Sequence, residues 1–256
     1  MTEFTRFGPE HLGTLAGLAL LAWLLVRLVR SGGPDSRTRG RLVRGVLAAI
    51  LVGGLGFALV GELPLRGLDW LEILPLHLCD LAVLIAVLAL LTRRRLACEM
   101  LYFWGLSGTL IATITPDVNR GFPDSRCLSF FALHGAVAMA AVVMTFGVGV
   151  RPRPGANWRA LAITNAYALL AAAIDLATGE NYLYLRAKPS QPSMLDFMGP
   201  WPWYILAADA LALVLFWLLM LPFRGERAAE SPHRRGTTAI ASDPAPAPGR
   251  KDARGL

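Results

Sequence analysis

Leu74-Pro75-Leu76-His77-Leu78-Cys79-Asp80 opens an apolar run that continues through Leu81-Ala82-Val83-Leu84-Ile85-Ala86-Val87-Leu88-Ala89-Leu90-Leu91 and is stopped by Arg93-Arg94-Arg95. A helix crossing the hydrocarbon core of a bilayer needs ~20 mostly apolar residues. A soluble helix of this length would carry a polar face; this run has none, so it reads as a membrane span. Its opening turn nevertheless holds a histidine, a cysteine and an aspartate. Ionisable groups at membrane depth are costly, rare, and usually face a protein interior or a water-filled cavity.

Similar runs lie on both sides. The spans expected are about 12–28, 43–63, 71–91, 96–114, 128–150, 160–177 and 204–221. The fold class expected is therefore all-α: a polytopic seven-transmembrane-helix bundle over residues 1–223. A disordered cytoplasmic tail, rich in Arg, Pro, Ala and Ser, is expected over residues 224–256. Gly32-Gly33-Pro34 marks the first loop, and Trp201-Pro202-Trp203-Tyr204 suits a membrane interface.

Composition agrees. The chain is 55% hydrophobic and 17% charged, with a mean hydropathy of +0.49. Its net charge of +7 does not point to nucleic acid, because the arginines fall between apolar runs and in the tail. No nucleic-acid partner, metal or cofactor is expected. Cys79, Cys98 and Cys127 fit neither a disulfide framework nor CxxC-type metal spacing. Neither lysine, Lys188 or Lys251, lies within a span, which excludes a retinal Schiff base. The first run follows Glu3, Arg6 and Glu10 rather than a basic segment, so no cleavable signal is expected.

The arginine-rich loops are the first, third and fifth, together with the tail. The positive-inside rule then places the amino terminus outside and the carboxyl terminus in the cytoplasm of a multi-pass cell-membrane protein. In that orientation, at ~1.5 Å per residue, His77, Cys79, Asp80, His134, Asp175 and Asp209 lie in the outer half of the bilayer. Thr113, Thr115 and Asp117 end the fourth span at the same level. The inner half is almost purely apolar apart from Asn165 and Tyr167, with Glu99 near the cytoplasmic surface. A polar pocket in the outer half is the expectation. His77 and Asp80, three apart, share a helical face, whereas His77 and Cys79 do not. A base for Cys79 must come from another helix, and His134 is the candidate. The alternative is that Cys79 is a small apolar packing residue and the histidines are structural. Asp175 and Asp209 are expected to pair with a histidine or an arginine. Two outer loops, Thr115–Pro123 with Asn119 and Arg120, and Asn181–Pro189 with Tyr182, Arg186 and Lys188, offer cations for a phosphate headgroup.

The combination of His77-Leu78-Cys79-Asp80, Tyr102-Phe103-Trp104-Gly105, Thr115-Pro116-Asp117, Phe130-Phe131 with His134-Gly135, Asn181-Tyr182 with Lys188-Pro189, and Gly199-Pro200-Trp201-Pro202-Trp203-Tyr204 resembles the bacterial YwaF-like integral membrane family over about 12–221. That family is distantly similar to the transmembrane protein 164 family. The latter resemblance implies a cysteine-dependent acyltransferase remodelling membrane phospholipids, with Cys79 matching the nucleophile and His134 its partner. Three readings follow: a lipid acyltransferase or hydrolase, a proton-coupled carrier using Asp80, His77, His134 and Asp209, or a non-enzymatic lipid-binding protein.

Overall fold

A chain in lipid must satisfy its own backbone hydrogen bonds, which leaves helices or closed barrels as spanning structures. Here the apolar runs form helices. A computed structural model describes residues 4–33, 35–62, 74–116, 118, 120–189 and 193–224. The expected tail, residues 225–256, and the start of the expected third span, residues 71–73, lie outside the described residues. The chain divides into two units, Met1–Met220 and Leu221–Leu256. Among its described residues the first holds seven long helices: α1 Pro9–Arg30, α2 Ser36–Glu62, α3 Leu78–Thr92, α4 Arg95–Ile114, α5 Ser125–Gly147, α6 Ala156–Thr178 and α7 Trp203–Leu219. Within the second, a 3₁₀ turn spans Leu221–Phe223. Among the described residues there is no β-strand.

Among the described residues, six helices are long and apolar enough to cross a membrane: α1, α2, α4, α5, α6 and the segment Trp203–Phe223 that contains α7. The seventh, α3, is equally apolar but has 15 residues, about 22 Å against a hydrocarbon core of ~30 Å. Its start corrects the sequence expectation. Residues Leu74–His77 are not helical, because Pro75 has no N–H and disfavours the helical conformation at Leu74. His77 is the N-cap residue, with ψ 151, so it lies outside the helix that carries Cys79 and Asp80. The helical three-residue spacing expected for His77 and Asp80 therefore does not apply.

Helix α2 starts two turns earlier than expected. Arg37, Arg39 and Arg41 lie in the helix rather than the loop, consistent with arginine's good helix propensity. The Arg44 guanidinium donates to the Leu90 carbonyl near the end of α3, at 2.7 Å. Gly179, at φ +89, ends α6 in the left-handed conformation that glycine adopts without strain.

The core lies around α4 and α5. In α4 every residue from Ala97 to Gly105 is buried. This is also the least hydrophobic of the six candidate spans: it meets other helices rather than lipid and can carry Glu99, Ser107, Thr109 and Thr113. Both α4 and α5 contain a π turn, at Gly105–Thr109 and Val143–Gly147. A side chain at Gly105 would meet Ala141 Cβ at 3.0 Å and the Val137 carbonyl at 3.3 Å. The glycine is what lets α4 and α5 approach this closely.

Candidate functional site

Cys79 and His134, from α3 and α5, border one cavity of about 150 Å³, lined also by Leu78, Ala82, Trp104, Gly108, Thr109 and Ala112. The π turn of α4 supplies Gly108 and Thr109. π turns recur at functional sites, where they re-aim side chains. The His134 ring is stacked on Phe130, with centroids 4.1 Å apart, and its Nδ1 lies 2.9 Å from the Phe130 carbonyl. A carbonyl only accepts, so the Nδ1 proton is fixed there and Nε2 carries the lone pair of the neutral ring. Other polar groups of the cavity wall are committed to structure. Trp104 Nε1 donates to Thr164 Oγ1 at 2.8 Å, and the Thr109 hydroxyl donates to the Trp104 carbonyl at 3.1 Å. Sulfur and imidazole are the groups left for chemistry.

The other expected site residues gather elsewhere. The His77 ring lies against Tyr182 and Tyr184, with centroids 5.6 and 5.7 Å away. Tyr182 donates its N–H to Asp175 Oδ1 at 2.8 Å. Asp175 is fully buried, and its Oδ2 has no hydrogen-bond partner. The Tyr167 hydroxyl donates to the Leu76 carbonyl at 2.7 Å, tying the approach to α3 onto α6. Asp80 sits in the first turn of α3.

Asp209 takes a hydrogen bond from Asn165 Nδ2 at 2.9 Å, so α6 and α7 are joined near mid-helix. Neither Asp175 nor Asp209 meets a histidine in these bonds. The expected inner position of Asn165 and outer position of Asp209 converge on one level.

The loop residues stabilise their own loop. Asn181 Oδ1 accepts the N–H groups of Arg186 and Ala187, and its Nδ2 donates to the Ala187 carbonyl. Arg186 donates to the carbonyls of Gly179, Glu180 and Asp175, filling the acceptors that a helix end leaves open. Lys188 lies over the Tyr204 ring at 5.5 Å and is 3.8 Å from Asp196. The Thr115 hydroxyl donates to Ile111 within its own helix. Arg120 is 3.9 Å from Asp124, with 68% of its side chain exposed. Asp117 and Asn119 lie outside the described residues.

Two buried polar centres had no sequence signal strong enough to find them. His11 is fully buried between Phe4, Phe7 and Phe131. Its Nδ1 accepts the Phe7 N–H at 3.0 Å, and its Nε2 donates to the Thr113 carbonyl at 3.0 Å. In the sequence it is one more polar residue ahead of an apolar run. Glu99, 3% exposed, accepts from Arg153 at 2.8 and 3.0 Å and from Arg159 at 3.0 and 3.3 Å. Charge-assisted bonds of this kind hold the α5–α6 loop onto α4, and they keep the Arg153 pKa above its ordinary value. Among the described residues, no three His, Cys, Asp or Glu side chains come together in a way that could hold a metal ion.

The chain belongs to the TMEM164 family, whose model matches residues 6–221. All seven helices and every candidate site residue fall within that segment. An uncharacterised protein of Treponema pallidum (strain Nichols) is 31% identical over 224 residues, covering 86% of this chain and 90% of that protein. No solved structure matches. The family shown is the one the motifs had placed as the more distant of two resemblances.

Proposed function

We propose that this membrane protein is a lipid enzyme that moves or hydrolyses an acyl chain of a membrane phospholipid, with Cys79 as nucleophile and His134 as its base. The observation that carries the reading is the cavity that Cys79 and His134 share from different helices, with His134 Nε2 left as its acceptor. A thiol and an oriented imidazole on one cavity are the groups that cysteine acyl transfer needs. Membership of the TMEM164 family supports the same chemistry through the resemblance of its motifs.

In this reading His134 Nε2 takes the proton from the Cys79 thiol, and the sulfur forms a bond to the ester carbonyl carbon. Negative charge develops on the carbonyl oxygen beside the first turn of α3, a helix end whose dipole favours negative charge. The bond to the glycerol oxygen then breaks, and His134 returns the proton to the departing alkoxide. An acyl thioester remains on Cys79. The hydroxyl of a lysophospholipid, or water, gives its proton to the same Nε2 and attacks the thioester carbon. Cleavage of the carbon–sulfur bond restores the thiol.

At about 150 Å³ the cavity is below the ~300 Å³ of usual ligand pockets, so it holds the reacting ester rather than a whole lipid. The arginine-rich loops support an outside amino terminus, which sets the cavity in the outer half of the bilayer. His77, Asp80, Asp175, Tyr182 and Tyr167 then serve to hold the entry into α3. Arg120, with its side chain 68% exposed, is the loop cation offered to a headgroup, and Thr115, Asp117 and Asn119 belong to the same loop sequence.

The test is mass-spectrometric lipid analysis of the purified protein in liposomes of mixed phospholipids. Time-dependent acyl exchange or lysolipid release is expected. It should fall to background in Cys79→Ala and by about 10²–10⁴ in His134→Ala, the range for a lost general base. Turnover retained in Cys79→Ala, or no lipid change with the wild type, overturns the assignment.

A further inference from the structure

On the face of α4 away from that cavity lies a larger, apolar groove of about 420 Å³ between α1, α4 and α5. Its α1 wall is one helical stripe, Leu15, Leu18, Ala19, Ala22, Trp23 and Val26, at the three- and four-residue spacing that keeps side chains on one face. Small residues on both sides, Ala19 and Ala22 facing Ala138, leave the space open. From Leu15 to Val26 the groove runs about 16 Å, which is roughly one leaflet of the ~30 Å hydrocarbon core. The same α1 stripe continues into Arg27 and Arg30, four residues beyond Trp23 and Val26, and both are exposed. The Arg27 guanidinium lies over the Trp23 ring, 5.1 Å from its centroid. An apolar slot one leaflet long therefore ends in two exposed guanidinium groups.

We propose that this groove is a binding site for one anionic phospholipid, with its acyl chain along Leu15–Val26 and its phosphate headgroup at Arg27 and Arg30. The charge at one end and the length of the apolar wall together select the occupant. A neutral lipid would leave the arginines without a counter-charge, and a free phosphate would leave the groove empty. The site lies across α4 from Cys79, its arginine end lies at the far end of α1 from the Thr113 end of the groove, and it does not depend on the enzymatic reading.

The test uses the full chain in vesicles containing phosphatidylglycerol or phosphatidylcholine with a photoactivatable group in the acyl chain. With wild-type protein, labelled peptides should map to Leu15–Val26 and to the facing residues Leu106, Leu110 and Met139, and phosphatidylglycerol should label more strongly. Arg27→Gln should keep the map but reduce the headgroup preference by about fivefold, the value of one basic residue at an anionic surface. Ala22→Trp, which fills the groove, should remove the labelling. Unlabelled inorganic phosphate in excess should not compete. Labels spread evenly over the outward faces of α1, α6 and α7 would mean annular lipid only and overturn the proposal, as would an unchanged map in Ala22→Trp or competition by phosphate alone. The wild-type map decides the matter even if a variant fails to fold.

Discussion

Two bonds at His11 fix opposite roles on its ring: Nδ1 accepts from Phe7 and Nε2 donates to Thr113. With both nitrogens engaged in a fully buried position, the ring joins the turn before α1 to the end of α4 and is closed to proton transfer. His134 differs in one respect, since a single nitrogen is tied back to its own helix. His11→Leu removes both bonds and leaves the buried Thr113 carbonyl without its partner, at about 1–3 kcal/mol, whereas the N–H of the exposed Phe7 can turn to solvent. A loss of about 1–3 kcal/mol is expected, or about 2–12 °C in Tm for a chain of this size, read by thermal unfolding in detergent. A shift under one degree would show that water replaces the ring. Glu99→Gln tests the other centre: it leaves Arg153 and Arg159 without their carboxylate. A buried pair broken on one side costs ~3–5 kcal/mol. Here the arginine side chains are 41% and 38% exposed, so solvent reduces the loss to about 2 kcal/mol. Proteolysis within Arg151–Gly155 should speed up if Glu99 holds that loop; an unchanged cleavage rate would separate the ion pairs from the loop's order.

Between helices, α4 packs close against α5 at Gly105, where the neighbours are Ala141 Cβ and the Val137 carbonyl. Gly105→Val must push Ala141 and the Val137 carbonyl away, and overpacking of this kind costs about 1–3 kcal/mol. It should also disturb the π turn that carries Gly108 and Thr109 to the cavity, so lipid turnover should fall with stability. Turnover retained at full rate in a destabilised Gly105→Val would show that the turn does not shape the cavity. The helices themselves were legible in the sequence, because hydropathy over ~20 residues is a strong signal and arginines mark the stops. Their ends were less so: Arg37–Arg41 were read as loop because charge was weighed above helix propensity, and α3 was started too early because Pro75 was weighed below hydropathy. That a base for Cys79 would have to come from another helix was legible from the helical spacing, and Cys79 and His134 line one cavity. One pocket for all the polar groups was the expectation, but depth alone does not say which way a side chain faces. Asp209 turns to Asn165, and Asp175 to a backbone N–H, for reasons set by helix rotation that no single-sequence pattern encodes.

Across the whole bundle, α4 separates two spaces of opposite character. The side toward α3 holds a small cavity with sulfur and imidazole; the side toward α1 holds a longer apolar groove ending in arginine. Residues on opposite faces of a helix that share no partner should act additively, so the two sites should be separable by mutation. A ligand that binds only the folded state stabilises it by RT ln(1 + [L]/Kd), about 2.7 kcal/mol at a hundredfold excess over Kd. For a chain of this size that is about 5–10 °C in Tm. Added phosphatidylglycerol should therefore raise the Tm of the wild type in neutral detergent by that amount, and phosphatidylcholine by much less. Cys79→Ala should keep the full rise, because its cavity lies across α4, whereas Ala22→Trp should lose it. If Cys79→Ala abolished the rise, the stabilising lipid would be sitting at the cysteine, and the groove would be no more than a gap filled by whichever acyl chains surround the protein. If both variants kept it, the lipid would bind elsewhere on the surface, and the arginines at the end of α1 would serve only to set the orientation of the chain in the membrane.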